Sequence, residues 1–322
     1  MAETDISIVI LAKNEEKYIG STLDMIFKQD IDKKYEVIII DSGSKDSTLE
    51  IAKKYPVKIL EIPAQEFVHG RTRNQGAQIA SSKIVVSLNA DATPTNEEWL
   101  RSLINNFKND ERIIGVYSRI YPRLDCNPLR FWEILNEDTD KKEIRYIKDF
   151  DIYQHMNPRD KRKFLAFRTI SCAIRRDFLL EYPFKDMEFG EDLEWSKRII
   201  EKGFKIVFEP ESVVYHSHNF YYSTAKTFKK YFDDAKLNNY LLNIWSWRNF
   251  PILTGYIVYK IFKDISYILN LNKSIFYKIS WLSHSSVIRI AEFVGIVVGA
   301  NSRYLPNKLR SSFSLVNEVK RN

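Results

Sequence analysis

With 322 residues, 44% of them hydrophobic, 14% aromatic and 28% charged, the chain can bury a full core, which excludes the disordered and fibrous classes. Two cysteines, Cys126 and Cys172, make neither a disulfide framework nor a thiolate metal set, and are expected as reduced thiols of a cytosolic protein. The net charge of +7 is uneven: residues 223–322 hold 15 Lys/Arg against 5 Asp/Glu, leaving 34 against 37 in residues 1–222, so a mildly acidic part precedes a basic, aromatic one.

The polar start and the short apolar run that follows predict no secretory signal. Ser7-Ile8-Val9-Ile10-Leu11 reads as a strand buried on both faces. Residues 15–29 carry Ile19, Leu23, Ile26 and Phe27 at helical spacing. A second buried strand follows at 37–40, a helix at 47–54 capped by Asp46, and a third strand at 57–62. Helix 73–81, strand 84–88, helix 97–107 and strand 113–117 continue the alternation. Residues 121–166 lose the pattern and are expected to form an insertion near the ligand pocket. A strand at 169–174, a helix at 192–202 and strands at 205–208 and 212–216 restore it. From residue 223 onward the pattern is helical, with apolar faces alternating with Lys and Arg. Uncharged stretches such as 249–259 reach about half the roughly 20 apolar residues of a membrane span, so no transmembrane helix is predicted.

This order predicts an α/β fold: an open, Rossmann-like, mostly parallel sheet flanked by helices, in residues 1–222, with a helical extension over 223–322. Ligands of such sheets bind beyond the carboxyl ends of the strands. Lys13-Asn14-Glu15, Asp41-Ser42-Gly43-Ser44 and Asn89-Ala90-Asp91 follow three of the strands and together mark a pocket at that edge. Neither the G-x-G-x-x-G turn nor a P-loop is present. Any phosphate held here must be neutralised differently, and a divalent metal on a carboxylate, supported by Arg and His, would do it. Nucleic acid is set aside as a partner, since no zinc-finger spacing, basic zipper or aromatic RNA-binding signature accompanies the basic tail.

At this point the motifs carry a resemblance. Ile8 to Glu16, Val37 to Thr48, Arg73-Asn74-Gln75-Gly76-Ala77, Asn89-Ala90-Asp91-Ala92 and Gly190-Glu191-Asp192-Leu193-Glu194-Trp195 occur in the order and spacing of a family 2 inverting glycosyltransferase of the GT-A fold. Phe67 to Asn74, Val214 to Asn219, and Arg289 to Gly295 with Leu305-Pro306 resemble its bacterial rhamnosyltransferases. The resemblance implies a donor site made by Ala12, Asn14, Glu15, Asp41, Arg71, Arg73, Asn89 and Ala90. Asp41 would accept from the ring N–H of uracil or thymine, although turn chemistry alone also explains an Asp-Ser-Gly. Asp91 matches the metal-binding Asp of the family's Asp-x-Asp signature, with Asn89 in place of the first Asp. Mg²⁺ or Mn²⁺ suits such oxygen ligands.

Asp192 is the candidate general base for the acceptor hydroxyl, with Glu191 orienting. An acidic first helix turn favoured by the macrodipole is the alternative. His216 and His218 follow a strand one residue apart, so both point to one face, and one of them is expected to complete the metal site. Arg71 and Arg73 lie at a helix start, where both guanidinium and helix dipole favour an anion. Phe131, Trp132 and Tyr153 are candidates for stacking on an acceptor sugar. The resemblance thus implies transfer of rhamnose from dTDP-rhamnose, or of another sugar from a UDP donor, to a polysaccharide or lipid-linked glycan. A nucleotidyltransferase and a non-catalytic glycan-binding protein are the rival readings. The basic, aromatic tail fits peripheral contact with the inner face of a membrane, and plain helix packing competes with that reading.

Overall fold

The computed structural model describes residues 4–108, 110–217, 222–244 and 250–315. His218, Trp245 and Trp247 therefore lie outside the described residues. The chain divides into two compact units. One comprises Met1–Tyr121, Glu137–Met156 and Lys163–His216, the other Pro122–Asn136, Asn157–Arg162 and Ser217–Asn322. Both cysteines are free.

In chain order the elements are β1 (Ile6–Ala12), α1 (Ile19–Ile26), β2 (Tyr35–Asp41), α2 (Thr48–Ala52), β3 (Lys58–Glu61), α3 (His69–Ile79), β4 (Ile84–Asn89), β5 (Thr93–Pro94), α4 (Trp99–Asn105), β6 (Ile113–Tyr121), α5 (Pro128–Glu137), β7 (Glu143–Arg145), α6 (Phe150–His155), α7 (Pro158–Phe164), β8 (Ser171–Arg175), α8 (Arg176–Glu181), α9 (Glu191–Glu201), β9 (Lys205–Tyr215), α10 (Thr224–Leu242), α11 (Phe250–Asn270), α12 (Ile275–Ala300) and α13 (Asn307–Phe313). The architecture is α/β, as the alternation predicted.

The first unit is built on a sheet of order β3-β2-β1-β4-β8-β6-β9-β5, with β7 beside β9. β3, β2, β1 and β4 run parallel. β8 runs against both β4 and β6, and β6 and β9 are again parallel. All seven residues of β1 are buried, the mark of a strand covered on both faces. Neighbours on β8 show the two faces. Ser171 accepts from the indole N–H of Trp99 on α4 at 3.0 Å. Cys172 points to the opposite face, where its cross-strand partner Ser87 meets Arg73 of α3. Helix α3 lies close to the sheet because position 76 is glycine: a Cβ there would stand 2.4 Å from Val9 Cγ1.

Three elements differ from their sequence expectation. Helix α1 starts at Ile19 rather than 15, because residues 14–16 hydrogen-bond to Ser44, Thr48 and Asp46 instead of to a helical turn. Helix α3 starts at His69 rather than 73; Gly70, in its first turn, sits where a Cβ would meet Lys185 O at 2.6 Å. Residues 205–215 form one strand, where two were expected at 205–208 and 212–216. Its register against β6 shifts between Ser118↔Glu209 and Arg119↔Val213, a bulge that accommodates Pro210.

The second unit is helical. α10 and α12 cross at glycines: a Cβ on Gly299 would lie 2.2 Å from Phe232 O, and one on Gly295 2.6 Å from Phe228 O. By length and composition α12 is long and apolar enough to cross a membrane, and 44% of its apolar window is buried within the structure. Charges interrupt the run at Lys278, Arg289 and Glu292, so counting uncharged residues passed over it. Arg289 and Glu292 sit in a buried lattice, whereas Lys278 donates to the Leu269 carbonyl at 2.7 Å. Lys260 donates to Glu133 at 2.8 Å and Glu292 at 2.7 Å. Arg289, fully buried, reaches Glu133 at 2.9 Å, Glu292 at 2.6 Å and Asp264 at 2.8 Å. Arg130 adds a third cation at 3.4 Å from Glu133, so three carboxylates face three cations. Trp132 packs beside Tyr267.

Two outcomes follow from this packing. Gly299→Ala should destabilise the protein by about 1–3 kcal/mol through overpacking against the α10 backbone, read as a lower melting temperature. The second concerns Glu133. Burial pushes its carboxyl up, but Lys260, Arg289 and Arg130 pull it further the other way, well below the usual carboxylate range. A depressed folded-state pKa contributes stability above the unfolded value of about 4.3; that stability is lost as pH falls below this value towards the folded one. Glu133→Gln should cost about 3 kcal/mol at neutral pH and flatten the acid limb of denaturant-midpoint measurements.

Candidate active site

The carboxyl ends of β1, β2 and β4 form the floor of the site. Strand register sets Ala12 beside Asp41 and Leu11 beside Asn89. Asp41 and Asn89 therefore lie about two strand spacings, roughly 10 Å, apart. The Ala12 carbonyl accepts from Ser42 N–H at 3.0 Å, and that of Leu11 from Ala90 N–H at 3.1 Å, so both loops leave the sheet at defined angles.

Asp41 is fully buried. One carboxylate oxygen accepts from the backbone N–H of Gly43 at 2.9 Å and Ser44 at 2.8 Å, and the other from the Ser44 hydroxyl at 2.5 Å. Gly43 takes φ +82°, which glycine adopts without strain. This is the turn chemistry weighed for an Asp-Ser-Gly, and these three bonds leave lone pairs on the carboxylate for one more donor. Ser44 also accepts from Asn14 N–H at 2.8 Å, Asn14 Oδ1 accepts from Lys45 N–H at 2.8 Å, and the Thr48 hydroxyl accepts from Glu15 N–H at 2.7 Å. Asn14, at φ 53°, and Glu15 thus belong to a loop pair braced through its own backbone. Ser44 and Thr48 do this bracing; both stood in the quoted motif, but nothing local assigned them a task.

Arg73 is buried. Its Nε donates to Ser87 at 3.1 Å, Nη1 to Glu191 at 2.9 Å, and Nη2 to Asn89 Oδ1 at 3.1 Å and the Thr169 carbonyl at 3.5 Å. The sequence placed this guanidinium at the donor's anion. The structure makes it a bracket between α3, β4 and α9, its charge met by Glu191. The next residue is equally structural: Asn74 exchanges two hydrogen bonds with the Phe184 backbone, at 2.8 and 3.0 Å. Arg71 differs from both. Its side chain is half-exposed and paired with Asp186.

Gly190, at φ +79°, caps α9, and Glu191, Asp192 and Glu194 fill the first turn. Glu191 is buried on Arg73, whereas Asp192 is partly exposed and accepts from Leu193 N–H at 2.7 Å. Burial pushes the nearby Cys172 thiol up to about 12, so it is inert as a nucleophile.

Asp91 and His216 come together through a long-range pairing. The two-residue β5 runs antiparallel to the end of β9, with Thr93 opposite Tyr215. The buried Thr22 hydroxyl, bonded to Ala90 O and Thr93 Oγ1 at 3.0 and 2.9 Å, ties this loop to α1. His216 Nδ1 then lies 3.2 Å from Asp91 Oδ2. Neighbouring ligands of an octahedral cation with bonds of ~2.1 Å are roughly 3 Å apart, so this pair fits one edge of such a shell. Among the described residues no group of three or more His, Cys, Asp and Glu gathers as a metal set. The pair suits an ion that keeps water and takes diphosphate oxygens, as Mg²⁺ does. Tyr153 does not join the site: it is buried, packs on Phe164 and donates to Glu201 at 2.9 Å.

The chain is 29% identical over 297 residues to the O-antigen chain rhamnosyltransferase WbaN of Salmonella anatum, covering 90% of this chain and 87% of that protein. It is 27% identical over 314 residues to the O-antigen chain rhamnosyltransferase RfbN of Salmonella typhimurium, covering 96% and 94%. Its fold is like that of the mannosyltransferase PcManGT from Pyrobaculum calidifontis, solved with GDP-Man and Mn²⁺ (TM-score 0.54, 16% identity, 92% and 88% covered). It is also like S. aureus TarS 1–349 with UDP-GlcNAc (TM-score 0.53, 15% identity, 96% and 78% covered). These are GT-A glycosyltransferases. The family model described as Glycosyl transferase family 2 matches residues 7–181, more than half of the chain, and the protein therefore belongs to that family of glycosyltransferases.

Proposed function

We propose that this glycosyltransferase moves rhamnose from dTDP-rhamnose to a hydroxyl of a growing surface polysaccharide or its lipid-linked precursor, with inversion at the anomeric carbon. The observation that carries the donor and acceptor class is the similarity to two O-antigen chain rhamnosyltransferases over nine-tenths or more of the chain. The site chemistry is compatible with it. Asp41 has acceptor capacity left for the ring N–H of thymine, and uracil presents the same group, so a UDP-sugar is the second reading. That TarS is solved with UDP-GlcNAc supports keeping it.

Asp192 is the base in this proposal. Its carboxylate takes the proton of the acceptor hydroxyl as that oxygen forms its bond to the anomeric carbon, while the bond from that carbon to the diphosphate oxygen breaks on the opposite side. Glu191, held by Arg73, fixes the start of α9 and so the aim of Asp192. Arg71 faces solvent and is the guanidinium free to move from Asp186 to a phosphate. Asp91 and His216 would hold a divalent ion, Mg²⁺ or Mn²⁺, which when bound neutralises charge on the diphosphate leaving group; His218 is a further candidate ligand. That the PcManGT structure contains Mn²⁺ supports this part.

Two experiments test the reading. In a thermal-shift panel of nucleotide sugars, dTDP-rhamnose should raise the melting temperature of the wild type most, by the equivalent of about 2.7 kcal/mol at a hundredfold excess over Kd. Asp192→Asn should keep that shift while turnover falls roughly 10²–10⁴-fold; loss of shift and turnover together would remove Asp192 as base, and a larger shift with a UDP-sugar would change the donor. Asp91→Asn should weaken Mn²⁺ activation, measured as the half-saturating concentration, by more than about tenfold, since even outer partners of a ligand carry that much. An unchanged half-saturation would exclude Asp91 as ligand.

A further inference from the structure

Helices α11 and α12 are inverted relative to ordinary amphipathic helices. The buried stripe of α11 is Leu253, Ile257, Lys260, Asp264 and Ile268, so two of its three charged residues point inward. Its outward side carries Ile252, Tyr256, Val258, Tyr259, Phe262 and Leu269, with Phe262 67% exposed. α12 repeats the arrangement. Ser285, Arg289 and Glu292 are buried, while Phe276 (82% exposed), Ile279, Val287, Ile290 and Val294 face out. Val287, Ile290 and Val294 continue into an apolar groove of about 710 Å³, closed by Phe228 of α10 and Phe313 of α13. A water-facing helix pair gains nothing by hiding three carboxylate–cation contacts and presenting aromatic and branched side chains to solvent; apolar surface of this extent marks a binding face.

The charge left outside has one sign. Of the described carboxylates after residue 222, Asp233, Asp264 and Glu292 are buried and Asp234 is half-buried. Lys226, Lys263, Lys273, Arg303 and Lys308 are exposed. The surface of these helices is therefore apolar and cationic, complementary to a layer with an apolar interior and an anionic rim.

We propose that the outward face of the α11–α12 pair docks on an anionic lipid bilayer, its apolar side chains entering the acyl boundary and its lysines meeting the headgroups. Interfacial binding of this kind combines buried apolar area with attraction of the cations to anionic headgroups. The internal ion lattice makes the arrangement workable, because no charge of either helix stripe has to be dragged into the boundary uncompensated. The inference stands apart from the choice of donor, and its readout is binding rather than turnover.

The test is flotation of the full chain with vesicles of equal parts phosphatidylglycerol and phosphatidylcholine, against vesicles of phosphatidylcholine alone. The wild type should float with the anionic vesicles, and less with the neutral ones. F262D combined with F276D, at two exposed positions, should cut the bound fraction at least tenfold with an unchanged melting temperature. Hydrogen exchange on the unmodified protein gives an arm free of substitutions: anionic vesicles should slow exchange in residues 250–280. Absence of flotation, flotation unaffected by the double substitution, or no added protection in 250–280 would each overturn the proposal. So would a lipid-free dimer that the double substitution dissociates, which would assign the face to a second copy of the chain.

Discussion

The pairing of Arg73 with Glu191 is the constraint on which the rest of the site depends. A guanidinium and a carboxylate, both buried, are stable together only if their remaining hydrogen-bonding capacity is also used. Here Ser87, Asn89 and the Thr169 carbonyl take the other donors. The bracket fixes three things at once: the start of α9, where Asp192 stands; the end of β4, from which Asp91 follows; and the depth of α3 against the sheet. Gly76 and Asn74 complete the seating, one by letting α3 approach Val9 and the other by gripping the Phe184 backbone. An Arg-Asn-x-Gly sequence is thereby explained residue by residue through its hydrogen bonds and packing.

Strand polarity assigns the site its two halves. The parallel strands β1, β2 and β4 deliver Ala12, Asp41 and Asn89 to one edge, in register. The antiparallel strand β8 and the long β9 then turn the sheet, so that the far end of β9 returns through the β5 contact to Asp91. The ends of β1, β2 and β4 and the Asp91–His216 pair thus share one edge, joined by the loop between β4 and β5. Thr22 and Thr93 hold that loop from beneath, which keeps Asp91 and His216 at a separation a hard cation accepts.

The helical unit solves a different problem with the same physics. Six charges gather around Glu133, Lys260 and Arg289, most of them buried, and they balance in sign. Such a lattice is poor at adding stability but good at specifying geometry, because any shift in helix register strands a charge. It lets α11 and α12 carry their apolar side chains outward, and it ties the 122–136 segment to the C-terminal helices through Glu133.

The order of elements, the buried strands and the polar loops at their carboxyl ends were legible in the sequence, because periodicity and turn chemistry are local. The motif spacing was enough to name the family. Three matters were decided by tertiary structure alone. His216 meets Asp91 only because a two-residue strand pairs with the end of β9, a contact between positions 125 residues apart with no periodic signal. Arg73 turns inward because Glu191, far along the chain, neutralises it in a buried position. The outward apolar face of α11 escaped a reading that assumes charges lie outside, since Lys260 and Asp264 find their partners on other helices. In the last two cases the deciding term was the desolvation of a charged group, which depends on what surrounds it in space and leaves no mark on its sequence neighbours.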